Sequence, residues 1–207
     1  KYSTSYLFGA GALQNAGIKA NYAVSDKVGV MVGLFNDWNV YQDLNGVSHF
    51  GAQLSVSPVE GWNAYINVLT GSSDGGETAY SSGTIIDLTT SYQLTDKFML
   101  GLNAADYSFQ SEGGYSGVAL YPKLGITDNF ALGARAEYFK WKDVAGIEGT
   151  SYTSFTLSGN LKSGGLTFIP EVRLDNASEN VFMKKETSLL ADTKSAAQFS
   201  LAFVYAF

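Results

Sequence analysis

The chain has 207 residues and a formal net charge of −6, with charged residues at 15%, against the ~25% usual in soluble domains. Its mean hydropathy is zero, and no apolar run approaches the ~20 residues of a membrane-spanning helix, which excludes a helical membrane protein. Absence of cysteine excludes disulfides and thiolate metal sites, and absence of a basic cluster argues against nucleic acid as a partner. Aromatics at 14%, with 23 glycines against three prolines, suit many strands joined by turns.

From the amino end, Lys1 to Phe8 reads as a first strand, followed by a polar stretch from Gly11 to Asn15. No charged-then-apolar leader precedes it, as expected of an exported chain after signal removal or of a later fragment. Ile18 to Val24 alternates next, with Lys19 and Asn21 on its polar face, and the tight turn Ser25-Asp26-Lys27 leads into Val28 to Leu34. The long stretch Asp37 to Gly46 precedes a strand from Ser48 to Ser57, and Pro58-Val59-Glu60-Gly61 turns the chain into Trp62 to Val68, where Asn63 and Asn67 face inward. After Gly71 to Ser82 comes Ile86 to Leu94, with Asp87, Thr89 and Ser91 inward, and then the turn Thr95-Asp96-Lys97.

Gln110 to Gly114 and the turn Thr127-Asp128-Asn129 lead to the clearest strand, Phe130 to Tyr138. Phe130, Leu132, Ala134, Ala136 and Tyr138 share one face, and Gly133, Arg135 and Glu137 share the other. Beyond Lys142 to Gly149 lies Phe155 to Leu161, and Ser163-Gly164-Gly165 turns it into Leu166 to Asp175. There Leu166, Phe168, Val172 and Leu174 oppose Thr167, Glu171, Arg173 and Asp175. The longest polar stretch, Asn176 to Lys194, precedes Gln198 to Phe207, in which Phe199, Leu201, Phe203, Tyr205 and Phe207 share one face.

Tight turns recur roughly every 32 to 37 residues and alternate with longer stretches, the asymmetry of an outer-membrane barrel with its short turns toward the periplasm. The faces opposite the apolar stripes carry mainly Gly, Ala, Ser, Thr and Asn. A solvated face of a soluble sandwich or barrel would carry many Lys and Glu, so this composition suits a hydrated lumen better. The expected fold is all-β: a closed antiparallel transmembrane β-barrel of about twelve strands, residues 1–207 forming one domain. Trp38, Tyr41, Trp62, Tyr92, Phe98, Tyr107, Phe139 and Trp141 lie near strand ends, where aromatic girdles are expected.

Tyr2-Ser3-Thr4-Ser5-Tyr6-Leu7-Phe8-Gly9, Gly17-Ile18-Lys19-Ala20 and the Ser25-Asp26-Lys27 turn resemble the OmpL-like β-barrel porin family of Gram-negative outer membranes. So do Gly33-Leu34-Phe35-Asn36-Asp37-Trp38, Gly51-Ala52-Gln53-Leu54, the run Leu132 to Phe139, and Pro170-Glu171-Val172-Arg173-Leu174-Asp175. The resemblance spans nearly the whole chain, in short motifs whose order carries the weight. It implies a porin-like barrel without a catalytic motif. Members of that family usually have further strands at the amino end, so the chain is either a shortened relative or part of a larger barrel.

Strand parity places Lys19, Asp87, Lys123, Arg135, Glu137, Glu171, Arg173 and Asp175 on the inner wall as pore-lining residues. The alternative for these charges is an internal network that fills a narrow lumen. His49, the single histidine, is expected inward at the outer end of its strand, with Ser48 and Asp43 near it in sequence. A general base needs hydrogen-bonded partners in defined geometry, which sequence proximity does not supply. Ser72 to Glu77 offers oxygen ligands without the acid spacing of a calcium loop, so it reads as a solvated turn and no metal or other cofactor is expected. Acidic residues prevail in the long stretches, offset locally by Lys140 and Lys142. Asn176-Ala177-Ser178 fits a glycosylation acceptor, which carries no weight in a bacterial chain.

The function expected is a porin-like channel for passive diffusion of small polar solutes or ions, in the outer membrane of a Gram-negative bacterium. The alternative is a structural or accessory barrel subunit of an outer-membrane complex. Partners expected are outer-membrane lipid, the solutes, and a membrane-protein partner or further copies of the chain.

Overall fold

The computed structural model describes residues 3–40, 46–72, 82–185 and 190–207. A short helix, α1 (Tyr6–Ala10), precedes eleven strands: β1 (Gly17–Ser25), β2 (Val28–Phe35), β3 (His49–Val56), β4 (Trp62–Gly71), β5 (Gly83–Gln93) and β6 (Phe98–Phe109), then β7 (Gly114–Thr127), β8 (Phe130–Trp141), β9 (Ser151–Ser163), β10 (Leu166–Ala177) and β11 (Ser195–Tyr205). They form one sheet in chain order, and each consecutive pair is antiparallel. The expected turns join β1–β2, β3–β4, β5–β6, β7–β8 and β9–β10 at one end, and the other connections emerge at the opposite end.

Side chains alternate with period two, and residues paired across antiparallel strands share a face. Register therefore carries one face around the whole sheet. Gln53 pairs with Asn67 and Asn67 with Asp87, while Glu137 pairs with Ser154 and Ser154 with Asp175. On the opposite face Leu157 pairs with Val172 and Val172 with Phe199. Those three are exposed, as are Ile18, Ile86 and Phe203. The register shifts fall at Ala23/Ser25 and Gly125/Thr127, both at the tight-turn end. A shift so placed leaves the rest of its strand in phase.

One expectation is corrected. The first strand expected over Lys1 to Phe8 is not found: Ser3 to Ser5 lie outside the sheet and Tyr6–Ala10 is helical, with Lys1 and Tyr2 outside the described residues. Ser5 caps this helix, its hydroxyl accepting from the Phe8 N–H at 3.0 Å. The described residues thus give eleven strands where about twelve were expected, and this segment is the difference. The sheet does not close among the described residues. Among the described residues β1 pairs only with β2 and β11 only with β10, and these two edge strands run in the same direction.

The aromatics divide by face. Trp62, Tyr92 and Phe98 share the apolar outer face at the tight-turn end, where the rings of Trp62 and Tyr92 meet at a tilt, 5.7 Å apart, and the Trp62 indole donates to Thr90 Oγ1 at 2.9 Å. Tyr107, Phe139 and Trp141 instead point inward at the other end, and Trp38 joins them from the β2–β3 connection. Tyr107 packs on Trp38 at 5.4 Å and on Tyr115 at 5.5 Å, and Phe139 on Trp141 at 5.1 Å. These four are an interior core rather than part of a girdle, because their rings pack on one another and on Leu7 inside the sheet. Tyr41 lies outside the described residues.

Candidate functional site

The inner wall is built around the segment from Ser3 to Asn15, which lies inside the curve of the sheet. Its first half is held through its own backbone. Glu171 accepts the Ser3 N–H and Glu137 accepts the Leu7 N–H, each at 2.9 Å. Arg135 donates to the Ser3 carbonyl at 2.7 Å and Arg173 to the Thr4 carbonyl at 2.8 Å. Tyr121 donates to Ser5 Oγ at 3.0 Å, and the Arg173 guanidinium lies 4.8 Å from the centre of the Tyr6 ring. Carboxylates take donors and guanidinium groups take acceptors, so the strap is gripped in both polarities.

Period two explains the cluster. Arg135 and Glu137 sit two residues apart on β8, and Glu171, Arg173 and Asp175 alternate on β10, so all five project inward. Arg135 and Glu137 are 2% and 3% exposed, and their Nε and Oε2 lie 3.8 Å apart. Arg173 Nε donates to both oxygens of Asp175, at 3.0 and 2.9 Å. Such buried charges are tolerable only with partners, and the strap backbone supplies several.

Leu7 is the apolar anchor of the strap, 3% exposed and packed with Ile85, Tyr107, Tyr115 and Phe139. Gly117 makes room for it: a Cβ there would lie 3.1 Å from Leu7 Cδ1 and 3.0 Å from the Tyr138 carbonyl oxygen. Gly117→Val is expected to destabilise the folded protein by about 1–3 kcal/mol through overpacking. The lowered temperature at which the folded band converts on a denaturing gel would register it.

The other side of the strap faces open space. A cavity of about 430 Å3 lies between Leu7, Phe8 and Leu13 and the wall from β2 to β7. Polar side chains form a ladder across that wall. Gln53 Nε2 donates to Asn67 Oδ1 at 2.7 Å, and Asn67 Nδ2 donates to Asp87 Oδ1 at 2.8 Å. Asn103 Nδ2 donates to Asp87 Oδ2 at 2.6 Å, and Thr89 Oγ1 donates to Oδ1 at 3.2 Å.

All eight residues expected on the inner wall therefore share its face, but the structure groups only five. Arg135, Glu137, Glu171, Arg173 and Asp175 form the cluster around the strap, and Asp87 anchors the separate ladder. Lys123 is exposed near the tight-turn end, beside a cavity it shares with Asp128 and Lys162, and Lys19 is exposed on the edge strand β1. Sequence reading missed Gln53 and Asn103 as members of the ladder. Aligning the strands on their turns would have found Gln53 opposite Asn67 and Asn103 opposite Thr89.

His49 faces inward as expected and is 3% exposed. Ser48 Oγ lies 2.7 Å from His49 Nδ1 and 2.6 Å from Asp37 Oδ1, with Asp37 and His49 Nδ1 3.5 Å apart. A hydrolytic relay places serine and carboxylate on different ring nitrogens. Here both approach Nδ1, so this trio ties the β2–β3 connection to the start of β3 instead. Asp43 and residues 73–77 lie outside the described residues. At the rim, the Gly149 N–H and then the Lys140 ammonium hold the Asp143 carboxyl below its ordinary range, at 3.0 and 3.2 Å. Lys142 pairs with Asp106 at 2.6 Å.

A family model described as "Putative beta-barrel porin-2, OmpL-like" matches residues 1–207. Among solved structures, the NanC porin in a rhombohedral crystal form is similar, with 10% sequence identity over 93% of each chain and a TM-score of 0.49. No curated protein matches the sequence.

Proposed function

Because the chain belongs to the OmpL-like family of β-barrel porins, we propose that it is a passive channel of the Gram-negative outer membrane, admitting small polar solutes or ions. Residues 1–207 act as one domain of a transmembrane barrel whose lumen carries no chemistry beyond passage. The observation that carries this reading is the two-faced wall. Bulky apolar side chains such as Ile18, Phe199 and Phe203 are 74%, 65% and 69% exposed, directly behind an inner face of amides, hydroxyls and charges. Exposed apolar rows of this extent are costly in water and favourable against hydrocarbon.

Closure is part of the proposal. Among the described residues no strand pairs with the outer edges of β1 and β11, and lipid cannot satisfy the backbone groups of a bare edge. Because these two strands run the same way, an all-antiparallel barrel closes only with an odd number of further strands between them. Protein refolded into vesicles and fused with a planar bilayer should produce discrete conductance steps. A bilayer that stays silent at saturating protein would sink the channel reading. The open edges also support a second reading, a structural subunit whose missing wall comes from a partner protein. A stoichiometric copurifying partner together with absent conductance would favour that one.

A further inference from the structure

Resting on the channel reading, we infer that the strap from Ser3 to Asn15 is the constriction of the pore and that Asp87 biases the remaining passage toward cations. The strap divides the lumen into unlike halves. On the β8–β10 side, two guanidinium groups and three carboxylates are engaged with one another and with the strap backbone, and a cavity of about 450 Å3 remains between the strap and Phe139, Trp141, Tyr152 and Arg173. On the β2–β7 side lies the cavity of about 430 Å3.

Backbone attachment matters here, because it leaves the strap's side chains to shape what is open. Leu7 turns into the aromatic core, whereas Phe8 is 54% exposed and borders the cavity. Across from it, Asp87 is the one charged residue on the cavity wall among the described residues. Asn67, Asn103 and Thr89 donate to its carboxylate and fix its orientation. A fixed carboxylate beside a narrow, partly dehydrated passage draws cations and repels anions, more strongly as the aperture narrows. Small cations, inorganic or organic, are the solute class this passage fits.

Bilayer recordings of three variants test the inference. Replacing Tyr6–Ala10 by five glycines should raise single-channel conductance at least about twofold, since a pore's conductance follows its narrowest section. Asp87→Asn should lower the potassium-to-chloride permeability ratio about threefold or more with conductance retained. The chain contains no cysteine, so Phe8→Cys introduces a single thiol, and its modification by a cationic methanethiosulfonate should reduce the current. This third variant alters one side chain and keeps the test valid if the glycine strap impairs folding. A conducting wild type whose current ignores both strap changes overturns the constriction and leaves the channel reading standing. An unchanged permeability ratio in Asp87→Asn overturns the role of Asp87. If the wild type is silent and the glycine variant conducts, the strap closes the lumen completely, which overturns the open channel and the cation-biased passage beside Asp87. Silence from both sinks the channel reading and this inference together.

Discussion

Arg135→Met should destabilise the folded protein by about 3–5 kcal/mol, the usual cost of leaving a buried charge without its partner. Glu137 would remain, 3% exposed, having lost the guanidinium 3.8 Å away. Arg135 also donates to the Ser3 carbonyl, to Ser3 Oγ at 3.3 Å and to Thr156 Oγ1 at 3.0 Å, so both the strap and the β8–β9 wall lose contacts. Methionine fills most of the volume without a charge, which isolates electrostatics from packing. Urea unfolding in lipid vesicles, followed by tryptophan fluorescence, measures the loss. Adding Glu137→Met to Arg135→Met should recover part of it, because the stranded carboxylate is then gone. A single-variant loss below about 1 kcal/mol would mean that water reaches the pair freely and the clamp is not dry.

Leu157→Arg tests the outer face. Leu157 stands midway along β9, 57% exposed, between Ala134 and Val172. In a bilayer an arginine at mid-depth costs about 2–4 kcal/mol, and insertion should fall accordingly. In water the same exposed position would shift stability by no more than about 0.5 kcal/mol. Asn160→Arg, on the opposite face of the same strand, provides the comparison and should insert nearly as well as the wild type. Equal behaviour of the two variants would contradict a lipid-facing exterior.

The assignment of faces could be made from the sequence because one number, the period of two, governs it. Arg135 and Glu137, or Glu171 and Arg173, need only their own strand to be placed, and both register shifts fall where they flip nothing in the wall. The strap could not be placed that way. Tyr2, Thr4, Tyr6 and Phe8 alternate with smaller or polar residues as a strand would, yet the segment's hydrogen-bond partners are Glu137 and Glu171, 130 and 168 residues away from Leu7 and Ser3. No local pattern encodes a partner at that distance. The aromatic core is an intermediate case. Tyr138 lies outward on β8, so Phe139 must point inward, and parity alone separates it from a girdle. Proximity to a strand end does not, since rings gather there on both faces.

The shared direction of β1 and β11, the margins of the sheet among the described residues, also limits how two such sheets can join. Every copy inserted with its tight turns on the same side offers another copy a margin running the same way as its own. Two such chains can stitch margin to margin only as a parallel pair, the less stable ladder. A double-sized ring made of two such eleven-stranded sheets would therefore carry two parallel seams in an otherwise antiparallel wall.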